Sequence, residues 1–106
     1  ELGLRRWLVQ HHFEITNEEI LKEHGKIYEI LVITPKKEMS LTAKELLFGP
    51  YLLSKKCPVF QEKWQRELLE RQRVLTQLNA AKIKNDEKLT RLMQEIQWIK
   101  EVLDEA

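Results

Sequence analysis

The chain has 106 residues, of which 42% are hydrophobic and 33% charged, with a net charge of +1. The apolar share excludes a disordered chain, the near-neutral total excludes a global attraction to polyanions, and the length suits one small domain or part of a larger one. Cys57 is the one cysteine, so an internal disulfide is excluded, and the longest wholly apolar run, Ile30 to Ile33, falls far short of the roughly 20 residues of a membrane span. No signal-peptide pattern opens the chain, so the expected setting is soluble and cytoplasmic.

Residues 1–12 read as the end of an amphipathic helix, with Leu4, Leu8 and His11 or His12 on one face and Trp7 beside them. The chain opens without Met and is already patterned like a helix interior, which leads to the expectation that an N-terminal portion precedes it. Residues 13–22 mix Phe13, Ile15, Ile20 and Leu21 with acids. Glu23-His24-Gly25-Lys26 is a turn signal, because glycine supplies the positive φ of tight hairpins. Residues 27–34 are rich in β-branched and aromatic side chains and form the strongest strand signal. They are apolar at nearly every position, as in strands buried on both faces of a helix-covered sheet. Two strands cannot bury such a run, so a larger sheet is expected.

Pro35 ends the strand, since proline donates no ladder hydrogen bond. Thr42-Ala43-Lys44-Glu45 fits a capping box and opens a short helix through Phe48. Gly49-Pro50 stops it, residues 51–55 form a further helical turn, and Pro58 is placed to begin the next helix. From there Phe60, Trp64, Leu68, Leu75 and Leu78 recur at helical spacing up to about Ala81. Asn85 or Asp86 can cap a second long helix, in which Leu89, Leu92, Ile96, Ile99 and Leu103 follow at steps of three and four. The short polar connection favours antiparallel packing. Glu62–Arg66, Glu67–Arg71 and Glu87–Arg91 are spaced as supporting pairs, each worth only about 0.3–0.5 kcal/mol, so the apolar seam must hold the helices together.

Three segments in this order resemble a known family. They are Lys22-Glu23-His24-Gly25-Lys26-Ile27-Tyr28-Glu29-Ile30-Leu31-Val32, then Leu46-Leu47-Phe48-Gly49-Pro50-Tyr51-Leu52, then Pro58-Val59-Phe60-Gln61-Glu62-Lys63-Trp64. Together they resemble the C-terminal half of the bacterial tRNA (adenine-N1)-methyltransferases that modify adenine 22. The resemblance covers essentially the whole chain. It implies an α+β piece: the last helix and antiparallel β-hairpin of a class I, Rossmann-like methyltransferase sheet (residues 1–40), a helical connector (41–57) and an antiparallel coiled-coil hairpin (58–106). The intact parent would use S-adenosylmethionine to methylate N1 of an adenine in tRNA, a reaction that needs positioning more than acid–base groups or a metal. The family's Asp-x-Gly-Ser-Asp-His type turn and its later Gly-rich motif have no counterpart, because Gly3, Gly25 and Gly49 are the only glycines and none begins such a loop. No cofactor-binding or catalytic residue carries over, and this piece alone is expected to be inactive.

The remaining chemistry-bearing residues read mostly as structural. His11 and His12 are adjacent and point apart on a helix, so they do not converge on a metal. Cys57 has no Cys/His motif around it, and a structural thiol is expected. Trp64 falls on the apolar stripe and Trp98 beside the seam. The charge distribution says more than the total: residues 55–91 hold ten Lys/Arg against five acids, a net of +5, whereas residues 92–106 carry a net of −3. Joined to the resemblance, this makes Lys55, Lys56, Lys63, Arg66, Arg73, Lys82 and Lys84 the candidates for contacts with tRNA phosphates, which are electrostatic and independent of sequence. A rival reading is a non-catalytic protein-interaction or dimerisation module, since a seam from Leu89 to Leu103 pairs between chains as readily as within one.

Overall fold

The fold is a computed structural model that describes residues 2–83 and 85–104. It divides into two compact units, Glu1–Phe60 and Gln61–Ala106. In the first, α1 (Leu2–Gln10) leads into the antiparallel strands β1 (Phe13–Glu23) and β2 (Lys26–Pro35). The short helices α2 (Ala43–Phe48) and α3 (Pro50–Lys55) follow. The long helix α4 (Pro58–Ala80) starts at the end of this unit and continues in the second, where α5 (Asp86–Asp104) completes the chain.

The hairpin turn is the two-residue type that the sequence signals. His24 and Gly25 both have positive φ, 51° and 80°, as a turn matching the twist of the flanking strands requires. Further along, the register slips once: Ile15 pairs with Ile33 and Asn17 with Val32, leaving Thr16 as the extra residue of a bulge. The slip inverts which residues face inward. Ile15 and Glu18 are both buried although three positions separate them, which an unbroken period of two forbids.

α1 and α3 pack against β1. Glu18 and Glu29, which hydrogen-bond with these helices or with α1 alone, lie on that covered face. The opposite face carries Tyr28, Ile30 and Val32, each about half exposed at 47%, 49% and 47%. The expectation of a strand buried on both faces is therefore not met within this chain. Among the described residues, the helices cover one side of a two-stranded sheet and nothing covers the other. α1 departs from expectation in the same sense: among its described side chains Arg5 and Leu8 are the buried ones, while Leu4, Trp7 and, just beyond it, His11 are exposed.

Capping follows the sequence closely. Glu45 N–H donates to the Thr42 hydroxyl at 3.1 Å, and Thr42 N–H donates to the Glu45 carboxylate at 2.9 Å, closing the capping box of α2. Pro58 is the first residue of α4, where its missing N–H costs nothing. Lys88 N–H donates to the Asn85 side chain at 3.0 Å, so Asn85 caps α5. In the second unit Trp64, Leu92, Ile96, Ile99 and Val102 are buried. Arg71 Nε on α4 reaches Glu95 Oε1 on α5 at 3.1 Å, and the two residues are equidistant from Ile83 in the connection, as antiparallel neighbours would be. Among the described residues no helix is long and apolar enough to cross a membrane.

Candidate functional site

Two features of the chain gather charged groups: a buried cluster in the first unit and the cations of the second. The buried cluster grows from the way α3 begins. A helix start leaves several N–H groups without intrahelical partners, and a serine, threonine or aspartate usually caps them. Here the N-cap is Gly49, which has no side chain. Glu18 supplies the missing acceptor from β1: its Oε1 takes N–H bonds from Tyr51 at 2.8 Å and Leu52 at 3.1 Å. Its Oε2 takes the Nε–H of Arg5 at 2.9 Å, and Arg5 Nη2 donates to Glu29 at 2.9 Å.

Arg5 and Glu18 are fully buried. Such charges are tolerated only when paired and hydrogen-bonded, and here the carboxylate also meets the positive end of a helix. Within this cluster Arg5 Nη1 has no hydrogen-bond partner among the described residues. Gly49 is the structural condition for the cluster. A Cβ there would sit 2.5 Å from Arg5 Nη2 and 2.6 Å from each Glu18 oxygen. The cluster ties α1, both strands and α3 together, and it is the part of the first unit that sequence reasoning missed. Two signals could have found it: Arg5 lies one turn before Leu8 on the inward face of α1, and a glycine precedes the proline of α3.

The candidate cations are placed as follows. Lys55, at the end of α3, faces Glu19 at 3.7 Å. Lys56 closes that helix with a left-handed backbone, φ 46°, its N–H bonding Leu52 O. Both belong to the first unit. In the second, Lys63 lies over the Trp64 ring at 4.9 Å. Arg66 pairs with Glu62 at 2.8 Å and Arg73 with both oxygens of Glu70. Arg66 and Arg73, seven residues apart, share one face of α4. Lys82 is exposed in the connection, and Lys84 lies outside the described residues. The expected Glu62–Arg66 and Glu67–Arg71 pairs form, at 2.8 and 3.3 Å. The expected Glu87–Arg91 pair does not, and both residues remain exposed.

Titration behaviour follows these contacts. The bond from Arg73 holds the Glu70 carboxyl below the usual carboxylate range and raises the guanidinium in turn. The Glu14 carboxylate, accepting from Lys36 Nζ at 2.7 Å, raises that ammonium above its ordinary value. The histidines are dispersed in role. His11 stacks on Trp7 at 4.0 Å, His12 Nδ1 lies 3.0 Å from Lys37 O, and His24 sits in the hairpin turn. Among the described residues no group of three His, Cys, Asp or Glu could hold a metal ion. A depression of about 540 Å³ is lined by Val9, His12, Lys37, Glu38, Met39 and Ser40, with no nucleophile and base in contact.

Comparison with known proteins places this geometry. The chain superimposes on a protein of the NADB-Rossmann superfamily from Streptococcus agalactiae with a TM-score of 0.80 and 48% identity, covering 97% of this chain and 43% of that one. It superimposes equally on Streptococcus pneumoniae Sp1610, solved in complex with S-adenosyl-L-methionine, with a TM-score of 0.79, 42% identity and 97% and 42% coverage. The fold thus sides with the Rossmann-superfamily methyltransferases. Residues 1–101 match the sequence model of the tRNA (adenine(22)-N(1))-methyltransferases. The Bacillus subtilis (strain 168) enzyme of that description is 35% identical over 109 residues, covering 95% of this chain and 45% of the relative. The chain belongs to the tRNA (adenine(22)-N(1))-methyltransferase family, and it spans about 45% of the length of that curated relative.

Proposed function

We propose that this chain is the C-terminal part of an S-adenosylmethionine-dependent enzyme that methylates N1 of an adenine in tRNA. Residues 1–40 would close the catalytic sheet, 41–57 connect, and 58–106 form an antiparallel coiled-coil hairpin that helps hold the tRNA. The family match over residues 1–101 carries the reading. The bare outer face of β2, with Tyr28, Ile30 and Val32, supports it, because a strand pair at the end of a larger sheet leaves such a face for the rest of the fold. The reading also places the protein in the cytoplasm with its RNA.

The residues of this chain do not fit S-adenosylmethionine. A cradle for that cofactor needs a glycine turn open to a ligand. Gly25 serves a hairpin turn, and the space at Gly49 is already filled by Arg5 and Glu18. The methyl donor therefore belongs to the remainder of the parent. Methyl transfer from a sulfonium to a ring nitrogen proceeds by direct displacement and depends on alignment. In this reading the present chain contributes by holding the RNA while the target base leaves its stack.

The test is methyl transfer from labelled S-adenosylmethionine to unmodified tRNA. The complete protein is expected to label the tRNA at N1 of an adenine, and this chain alone is not. A complete protein that leaves tRNA unlabelled sinks the reading.

A second reading, a dimerisation or protein-docking module, draws on Leu69 and Met93, which are exposed on the two long helices. Sedimentation discriminates, since a monomer at all concentrations argues against self-association.

A further inference from the structure

Net charge along a sequence does not measure the charge a surface offers to a partner. Arg66 and Arg73 on α4 are each engaged by a carboxylate one turn away. Arg71 is held by Glu67 and Glu95 together. An arginine already forked onto a carboxylate presents little net field, and it must leave that partner to take a phosphate. Much of the positive charge on the body of α4 is therefore spent locally.

The balance changes toward the connection between the helices. Between Glu70 and Asp86 the sequence contains no acid but does contain Arg71, Arg73, Lys82 and Lys84. Asp86 and Glu87 occupy the first turn of α5, where their charge complements the helix N-terminus. Lys82, Lys88 and Arg91 are exposed and make no ion pair with any described residue. Lys88 and Arg91 are one turn apart on α5, a rise of about 4.5 Å, so their heads can reach one stretch of backbone. Both lie toward the flank of α5 that carries Glu95, the residue that reaches α4.

We infer that this end of the second unit, with Lys82, Lys88 and Arg91 as its unneutralised cations, is the surface that contacts RNA phosphates, in place of the body of α4. The inference rests on the tRNA-methyltransferase reading. It adds Lys88 and Arg91, which the sequence did not mark as phosphate contacts, and it demotes Arg66 and Arg73. Phosphate contacts of this kind position an RNA without reading its sequence, so the surface serves orientation, and base selection lies elsewhere.

The experiment compares two triple variants of the complete protein, each removing three positive charges. One is Lys82→Gln/Lys88→Gln/Arg91→Gln and the other is Lys63→Gln/Arg66→Gln/Arg73→Gln. tRNA binding is measured across a salt series, alongside methyl transfer and thermal stability. The first variant is expected to lose about tenfold in affinity and to lower the slope of log K against log salt by about one for each contact removed, with unchanged melting. The second is expected to stay within about threefold of the unaltered protein. An equal or larger loss in the second variant overturns the inference, as does an unchanged first variant. If neither variant weakens binding while the protein still methylates tRNA, this surface is wrong and the enzyme reading stands. A protein that neither binds nor methylates tRNA removes both.

Discussion

Glu18 Oε2 receives the Arg5 Nε–H at 2.9 Å with neither side chain exposed. The same carboxylate caps the α3 helix through Tyr51 and Leu52. Removing one member leaves an uncompensated buried charge and orphaned donors. Glu18→Ala is expected to cost about 3–5 kcal/mol in the unit that contains it. Amide exchange at Tyr51 and Leu52 should accelerate at the same time, because those N–H groups lose their acceptor. Denaturant unfolding and exchange check both statements, and a loss under about 1 kcal/mol would show that the cluster relaxes to water. The double change Arg5→Met/Glu18→Leu should cost less than Glu18→Ala, since the Arg5–Glu18 pair is then removed whole and the residual cost falls on Glu29, which loses its bond from Arg5.

Gly49 makes the cluster possible, and one methyl group tests it. At Gly49→Ala the new Cβ would meet Arg5 Nη2 and both Glu18 oxygens at 2.5–2.6 Å, on a backbone at φ 92°. Both the contact and the φ oppose an L side chain. The expected loss is about 2–4 kcal/mol, read as a lower melting temperature. Gly25→Ala is the control. Its φ is also positive, at 80°, but nothing lies within 4 Å, so it should lose only the conformational part, about 1 kcal/mol.

Much of the fold was legible because it obeys local rules. The hairpin turn, the capping box at Thr42 and Glu45, the start of α4 at Pro58 and the Asn85 cap each follow from a few adjacent residues. The heptad reading located Leu92, Ile96 and Ile99, though Val102 rather than Leu103 is buried at the end. What escaped depends on long-range geometry. The bulge at Thr16 flips the strand parity, so no alternation rule marks Glu18 as inward. Its partners, Arg5 and the N–H groups of α3, lie 13 to 34 residues away. The candidate cations were legible as residues, and so was the Glu62 partner of Arg66, but spacing alone did not decide which pairs form: Glu70 lies three before Arg73 and engages it, while Glu87 lies four before Arg91 and does not.

The Glu70–Arg73 pair gives a pH dependence with a definite sign. The bond from Arg73 depresses the Glu70 pKa in the folded protein. Its stabilising contribution is therefore present above the unfolded carboxyl value and is lost as pH falls through the lower folded value. Carbon NMR of the Glu70 carboxyl should place its midpoint below the usual range, and Arg73→Gln should return it there. Lys36 runs the opposite way: its raised ammonium contributes below its ordinary value, and the contribution disappears as pH rises through the folded one. Both sites are exposed, so the effects on global stability should be small and should shrink with salt. A Glu70 midpoint unmoved by Arg73→Gln would mean that the pair does not persist in solution.

Lys56 separates the needs of the backbone from those of the side chain. It ends α3 at φ 46°, a left-handed conformation that costs a residue bearing a Cβ about 1–2 kcal/mol and costs glycine almost nothing. Glycine also loses more freedom on folding, which offsets part of the gain. Lys56→Gly is thus expected to stabilise the protein by up to about 1 kcal/mol, seen as a small rise in melting temperature. The lysine head is a separate matter, and binding measured on the same variant addresses it. A rise in stability with a fall in tRNA affinity would show that a lysine is kept on an unfavourable backbone for its charge. A fall in stability would show instead that the contacts of its side chain outweigh the strain.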